Sequence, residues 1–192
     1  MTESVASTRP FEGLQIPAAG TYLLDAAHKR VGFVVRHLMV SKVRGNFAEA
    51  DATITIAENP LESAVSASIQ TASVQTGQAD RDNHLRTGDF FEAEKYPTME
   101  FRSTGIKSFE GTELVLDGEL TIKDVTKPVE LLVEFEGATT SPYGQALFGF
   151  SATTEIDRED WGLTYNMALE SGGVMISKKV KIEIEGEAVR QA

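Results

Sequence analysis

The stretch "DRDNHLRTGDFFEAEKYPTMEF", Asp80 to Phe101, gathers Arg81, Asp82, His84, Arg86 and Asp89 into one short run, ahead of two phenylalanines and a Tyr-Pro turn. As acid–base machinery, His84 or Asp82 would move the proton while Arg81 or Arg86 stabilised an oxyanion. The run holds no nucleophile partnered to a base at a catalytic spacing. On a helix, Arg81 and Leu85 share a face, and Asp82 and Arg86 make an i,i+4 ion pair. The competing reading is a short helix that seals one end of a domain, its charges paired among themselves. No catalytic residue is assigned.

The other histidines are His28 and His37. Metal ligands on a strand converge best at i and i+2, on one face. An odd offset sends these two to opposite faces of a continuous strand, and no carboxylate pair supports either at a recognisable metal spacing. Hydrogen-bonded histidines at strand ends are the expectation, with no metal. The chain also lacks a phosphate loop, a dinucleotide fingerprint, a zinc-protease motif and a nucleophile elbow.

The elements that must carry these residues are strands. In "FAEADATITIA", Ala48, Ala50, Ala52, Ile54 and Ile56 alternate with Glu49, Asp51, Thr53 and Thr55. Val65, Ala67 and Ile69 repeat the pattern, as do Val129, Leu131, Val133 and Phe135, then Ala146, Phe148, Phe150, Ala152 and Ile156, then Val180, Ile182, Ile184 and Ala188. Further strands are expected over Tyr22 to Asp25, Val31 to His37, Thr98 to Thr104, Glu113 to Leu116 and Glu119 to Ile122. Turn signals such as "ENP", "DG" and "SPYG" separate them. A helical period is credible only around 79–91. This succession predicts an all-β antiparallel sandwich or up-and-down barrel over 20–192, after a polar tail at 1–19. Small and large residues mix on the apolar faces. That leaves open a barrel with a ligand cavity and a barrel filled by its own side chains. Trp161, in "DREDWGLTYNM", reads as a loop residue, either an anchor over a barrel mouth or an aromatic flank to an entrance.

Composition narrows the function. The chain has 192 residues, no cysteine and a net charge of -11, which excludes thiol chemistry and disfavours nucleic acid or an anionic membrane as the main partner. No apolar run is long enough to span a membrane, so no stable membrane insertion is expected. The first residues lack the pattern of a secretory signal, so a cytoplasmic location is expected.

Taken in order, "GTYLLDAAHKRVGFVVRHL", "VRGNF", "RDNHLRTGDFFEAEKYPTMEFRST", "GELTIKDVTKPVEL", "FGFSATTEIDREDWGLTYN" and "SGGVMISKKVKIEIEGEA" resemble the YceI-like family. These are bacterial lipocalin-like proteins that bind polyisoprenoids. The resemblance covers Gly20 to Ala188, with Lys29 where the family usually carries serine after the first histidine. It implies an eight-stranded antiparallel up-and-down barrel with a short helical insertion around 79–91. It also implies an apolar lumen that takes up a long isoprenoid or related amphiphile, such as a polyprenyl phosphate or a quinone, for transport, storage or sequestration.

On that resemblance, strand parity assigns Phe33, Val35, Ala50, Ala52, Phe101, Leu120, Ile122, Phe135, Phe148 and Phe150 to the lumen. His37, Arg81, His84 and Arg86 are candidate headgroup contacts. No cofactor is expected beyond the lipid ligand, and a homodimer is left open. The alternatives are an enzyme on a hydrophobic substrate with His84 as acid/base, and a ligand-free barrel serving as an interaction module.

Overall fold

The computed structural model describes residues 7–192, so the first six residues of the expected tail lie outside the described residues. The rest of the tail is an antiparallel hairpin of β1 (Thr8–Phe11) and β2 (Leu14–Pro17). Arg9 fastens it to the body, donating to the carbonyls of Ala57 and Glu58.

The main sheet comprises β3 (Gly20–His37), β4 (Ser41–Phe47), β5 (Ala50–Ile56), β6 (Ala64–Gln70), β7 (Val74–Gln75), β8 (Thr98–Glu110), β9 (Glu113–Ile122), β10 (Val125–Thr140), β11 (Ala146–Asp157) and β12 (Ile176–Arg190). One wall strand is made of β4 and β5 together. The first pairs with Val31–His37 of β3 and the second with Gly20–Leu23. In the same way β6 lies against β5, and β7 lies against β4. From β8 onward each strand pairs with the next, and β12 returns antiparallel to β3. The result is a closed barrel of eight antiparallel walls, with one helix, α1 (Ala79–Leu85), after β7. Closure satisfies the backbone groups that an open sheet would leave at its edges.

Local patterning explains the walls. Along β5, Ala50, Ala52 and Ile54 point inward while Asp51 and Thr55 stay exposed. Buried apolar side chains gather at two levels. Near α1, Phe47, Ile69, Val74, Met99, Ile122, Trp161 and Leu163 pack together. At the other end the cluster is Tyr22, Ile54, Phe148 and Ala188. Fully burying one such side chain stabilises the fold by about 1.5–3 kcal/mol.

Local expectations change among the strands and at α1, and one open alternative closes. The strands expected over Glu113 to Leu116 and Glu119 to Ile122 are the single strand β9, with the "DG" turn signal in its interior. The two strands expected over Tyr22 to Asp25 and Val31 to His37 are one strand. It bulges between the pairs Leu24–Ala188 and Lys29–Gly186, so that residues 25–28 stand opposite Glu187 alone. Strand parity therefore cannot relate His28 to His37. The helix ends at Leu85 rather than continuing toward 91, because the chain turns back and the amides of Phe91 and Ala93 donate to the carbonyls of Leu85 and Arg86 at 3.0 and 2.9 Å. The expected Asp82–Arg86 ion pair does not form. Asp82 Oδ1 instead accepts from the Thr76 amide at 2.8 Å and its hydroxyl at 2.5 Å. Of the two readings of Trp161, the anchor fits: the side chain is buried, its Nε1 donates to the Leu120 carbonyl at 2.9 Å, and it is not on the cavity wall.

Candidate functional site

Inside the barrel lies a cavity of about 740 Å³, a size typical of small-molecule sites. Its wall runs from Phe11, Leu61 and Phe109 at one end to His37, His84 and Tyr165 at the end near α1. All ten residues assigned to the lumen lie on this wall: Phe33, Val35, Ala50, Ala52, Phe101, Leu120, Ile122, Phe135, Phe148 and Phe150.

Space survives among so many rings because of the residues opposite them. Phe33 lies across from Gly45, its partner on β4, and a Cβ at Gly45 would overlap the ring. The Phe101 ring uses Gly118 in the same way, and Gly186 makes room for the Leu24 side chain and, at slightly longer range, the Phe150 ring. The rings thus sit over glycines of the neighbouring strands. Facing alanines widen the same level, where Ala52 pairs with Ala67. The lumen is therefore lined with aromatic rings but left open.

The end near α1 is polar. Thr76 ties down Arg81, accepting from its Nε at 2.7 Å and its Nη2 at 2.8 Å. His84 Nε2 lies 2.8 Å from Asp89 Oδ2, and its ring packs edge-on against Phe90 and Tyr165. His37 also lies on the cavity wall, whereas Arg86 does not. Arg86 donates to the carbonyls of Ala72 and Val74 at 2.8 and 3.1 Å, holding α1 to the barrel.

Sequence reasoning missed two residues here, Arg158 and Tyr165, both on the cavity wall. Arg158 is only 5% exposed. Its Nε donates to Ser177 O at 3.0 Å, its Nη1 to Leu163 O at 2.5 Å and its Nη2 to Ile176 O at 3.5 Å. Among the described residues no carboxylate lies within ion-pair distance of it; the adjacent Glu159 pairs with Lys178 at 2.8 Å. Burial lowers the pKa of Arg158 from its ordinary value, opposed by Glu159 and Asp157. In "DREDW" nothing local distinguishes this arginine from an exposed charge.

Outside the barrel, the β3 bulge brings Asp25 and His28 beside Glu187. His28 Nδ1 is 2.7 Å from Asp25 Oδ2 and 3.6 Å from Glu187 Oε2. The hydrogen bond to Asp25, then the charge of Glu187, raises the His28 pKa, and the same bond lowers that of Asp25. These donors could reach one metal ion, an arrangement hidden from the sequence because Glu187 comes from the other end of the chain. They are away from the cavity wall, and among the described residues no other such group is found.

Comparison with known proteins agrees with this geometry. Residues 22–188 match the model of the YceI-like domain. A UPF0312 protein of Staphylococcus aureus (strain N315) is 37% identical over 168 residues, spanning 86% of this chain and 95% of that protein. The crystal structure of the Campylobacter jejuni YCEI protein superposes with a TM-score of 0.71 at 32% identity, covering 82% of this chain and 90% of that one. A polyisoprenoid binding domain from Saccharophagus degradans has a TM-score of 0.69 at 16% identity, a likeness of fold, covering 91% of this chain and all of its own.

Proposed function

The chain belongs to the YceI-like family, and from that premise we propose that it binds one amphiphilic lipid of isoprenoid type. The tail lies along the lumen, and an anionic headgroup sits at the end formed by His37, Arg81, His84 and Arg158. The observation that carries this reading is the cavity itself, a long apolar interior that becomes cationic at one end only. The polyisoprenoid binding domain of the same fold supports the ligand class.

The energetics favour such a ligand. Each methylene moved from water into an apolar site contributes about 0.8 kcal/mol, so a long tail supplies ample affinity. That force has no direction, so chain length is read by the depth of the lumen. Polarity is read at its end, where a buried guanidinium lacking a counter-ion interacts with phosphate more strongly than an exposed one would. Quinone rings and polyprenyl phosphates both have the required long tail, and the cations favour the phosphate. The role that follows is transport, storage or sequestration.

Organic extraction of the purified protein followed by mass spectrometry tests the proposal. Recovery of an isoprenoid in near-stoichiometric amount supports it. An empty lumen that also refuses added polyprenyl phosphate contradicts it and favours the interaction module.

A second reading draws on the His84–Asp89 pair, which resembles the orienting half of a catalytic constellation. In an enzyme using that pair, His84→Ala abolishes turnover of the bound lipid. In a binding protein, the variant retains the lipid chemically unchanged and only weakens its headgroup.

A further inference from the structure

The turn joining β3 to β4 is built from unusual residues. Leu38 and Met39 have φ of 52° and 60°, and the Val40 amide donates to His37 O at 3.2 Å. Tight hairpins of this kind place Asn-Gly at the two left-handed positions, because larger side chains are strained there. Burial does not offset the strain. Leu38, Met39 and Val40 are 38%, 54% and 82% exposed. Exposed Met167 extends the patch, since the loop carrying it is tied to the turn by the bond from the Leu38 amide to Met175 O at 2.8 Å.

Behind this apolar tip stand three exposed cations, Arg36, Lys42 and Arg44. Arg36 and Lys42 are direct cross-strand partners, an arrangement of like charges that weakens a hairpin. Among the described residues none of the three has a carboxylate within ion-pair distance; nearby, Lys178 pairs with Glu159, and Arg30 and Lys181 with Glu183. No acidic residue occurs from Val31 to Ala48, although the whole chain carries a net charge of -11. The tip also adjoins the polar end of the cavity, whose wall includes Arg36, His37, Val43 and Met175.

We propose that this hairpin tip docks the barrel onto a phospholipid surface bearing anionic headgroups. Leu38, Met39 and Val40 enter the interfacial layer, and Arg36, Lys42 and Arg44 meet the headgroup phosphates. Apolar side chains ringed by cations are the composition that binds such an interface. The net negative charge repels the rest of the barrel from it, so the tip fixes the orientation of approach. The inference deepens the lipid-binding reading, and rests on it only for the consequence that the cavity opens beside its source of ligand.

Co-sedimentation with vesicles tests the docking. The wild-type protein is expected to sediment with a phosphatidylcholine–phosphatidylglycerol mixture, less with phosphatidylcholine alone, and progressively less as salt is raised. Leu38→Asn with Met39→Gly relaxes the turn, so its thermal midpoint stays equal or rises while vesicle affinity falls at least about tenfold. A structural role for these side chains would lower the midpoint instead. Lys42→Glu with Arg44→Glu weakens the salt-dependent part of binding, by roughly fivefold or more per cation.

The proposal is overturned by absence of sedimentation with either vesicle, or by equal sedimentation of wild type and turn variant. A change in oligomeric mass of the turn variant with unchanged vesicle binding also overturns it, and assigns the tip to a second copy of the chain. Extraction of the same samples reads the lumen separately. An empty lumen with intact sedimentation counts against the lipid-binding reading and leaves docking standing.

Discussion

Arg158 carries a full charge into a site where carbonyl oxygens are its ligands. Replacing it with alanine strands the carbonyls of Leu163, Ile176 and Ser177 and loosens the chain around the cavity's polar end. Arg158→Ala is expected to lower stability by on the order of 3 kcal/mol, read from denaturant midpoints; a loss below about 1 kcal/mol would show that water replaces the guanidinium freely. A second effect at this scale concerns pH. The raised His28 pKa means that its bond to Asp25 contributes fully below the ordinary value of 6.5 and is lost as pH rises through the folded value. The lowered Asp25 pKa means that the contribution also requires pH above the ordinary 3.8 and disappears as pH falls through the folded value. NMR titration should therefore give His28 a midpoint above 6.5 in the wild type, and Asp25→Asn should lower it. Identical midpoints in the two proteins would refute the pairing.

At the scale of elements, the glycines opposite the lumen phenylalanines decide whether the barrel is hollow. Gly45→Ala places a Cβ where the Phe33 ring now lies and drives the ring into the lumen. The expected result is several-fold less lipid recovered and a stability loss of roughly 1–3 kcal/mol. Adding Phe33→Ala should restore lipid uptake, a reversal that generalised misfolding would not show. The lumen phenylalanines were legible in the sequence because in–out alternation is a local property of each strand, as in Phe148, Phe150 and Ala152. Their glycine seats were not, since Gly45 meets Phe33 only once the register of β3 and β4 is fixed. The β3 bulge was hidden for the same reason, as four residues there face the single residue Glu187. Among candidate headgroup residues, Arg81 and His84 reach the cavity because α1 covers its end, while the turn following α1 aims Arg86 at the carbonyls of Ala72 and Val74. Nothing in "RDNHLR" distinguishes these outcomes.

At the scale of the whole molecule, one closed barrel encloses a cavity that is apolar along its length and cationic at one end, and the charge of the chain is spread unevenly around it. The net charge of -11 coexists with the acid-free segment from Val31 to Ala48, so a sum over the sequence concealed the local surface. Among the described residues no helix is long and apolar enough to cross a membrane. If the lipid lies inside the barrel, filling the lumen must exclude it. Native mass spectrometry of the wild type beside Ala52→Trp, a substitution that fills the lumen at the level where Ala52 faces Ala67, tests it most directly. One bound lipid per wild-type chain and none on the folded variant is the expected result. Equal lipid on both proteins would contradict it.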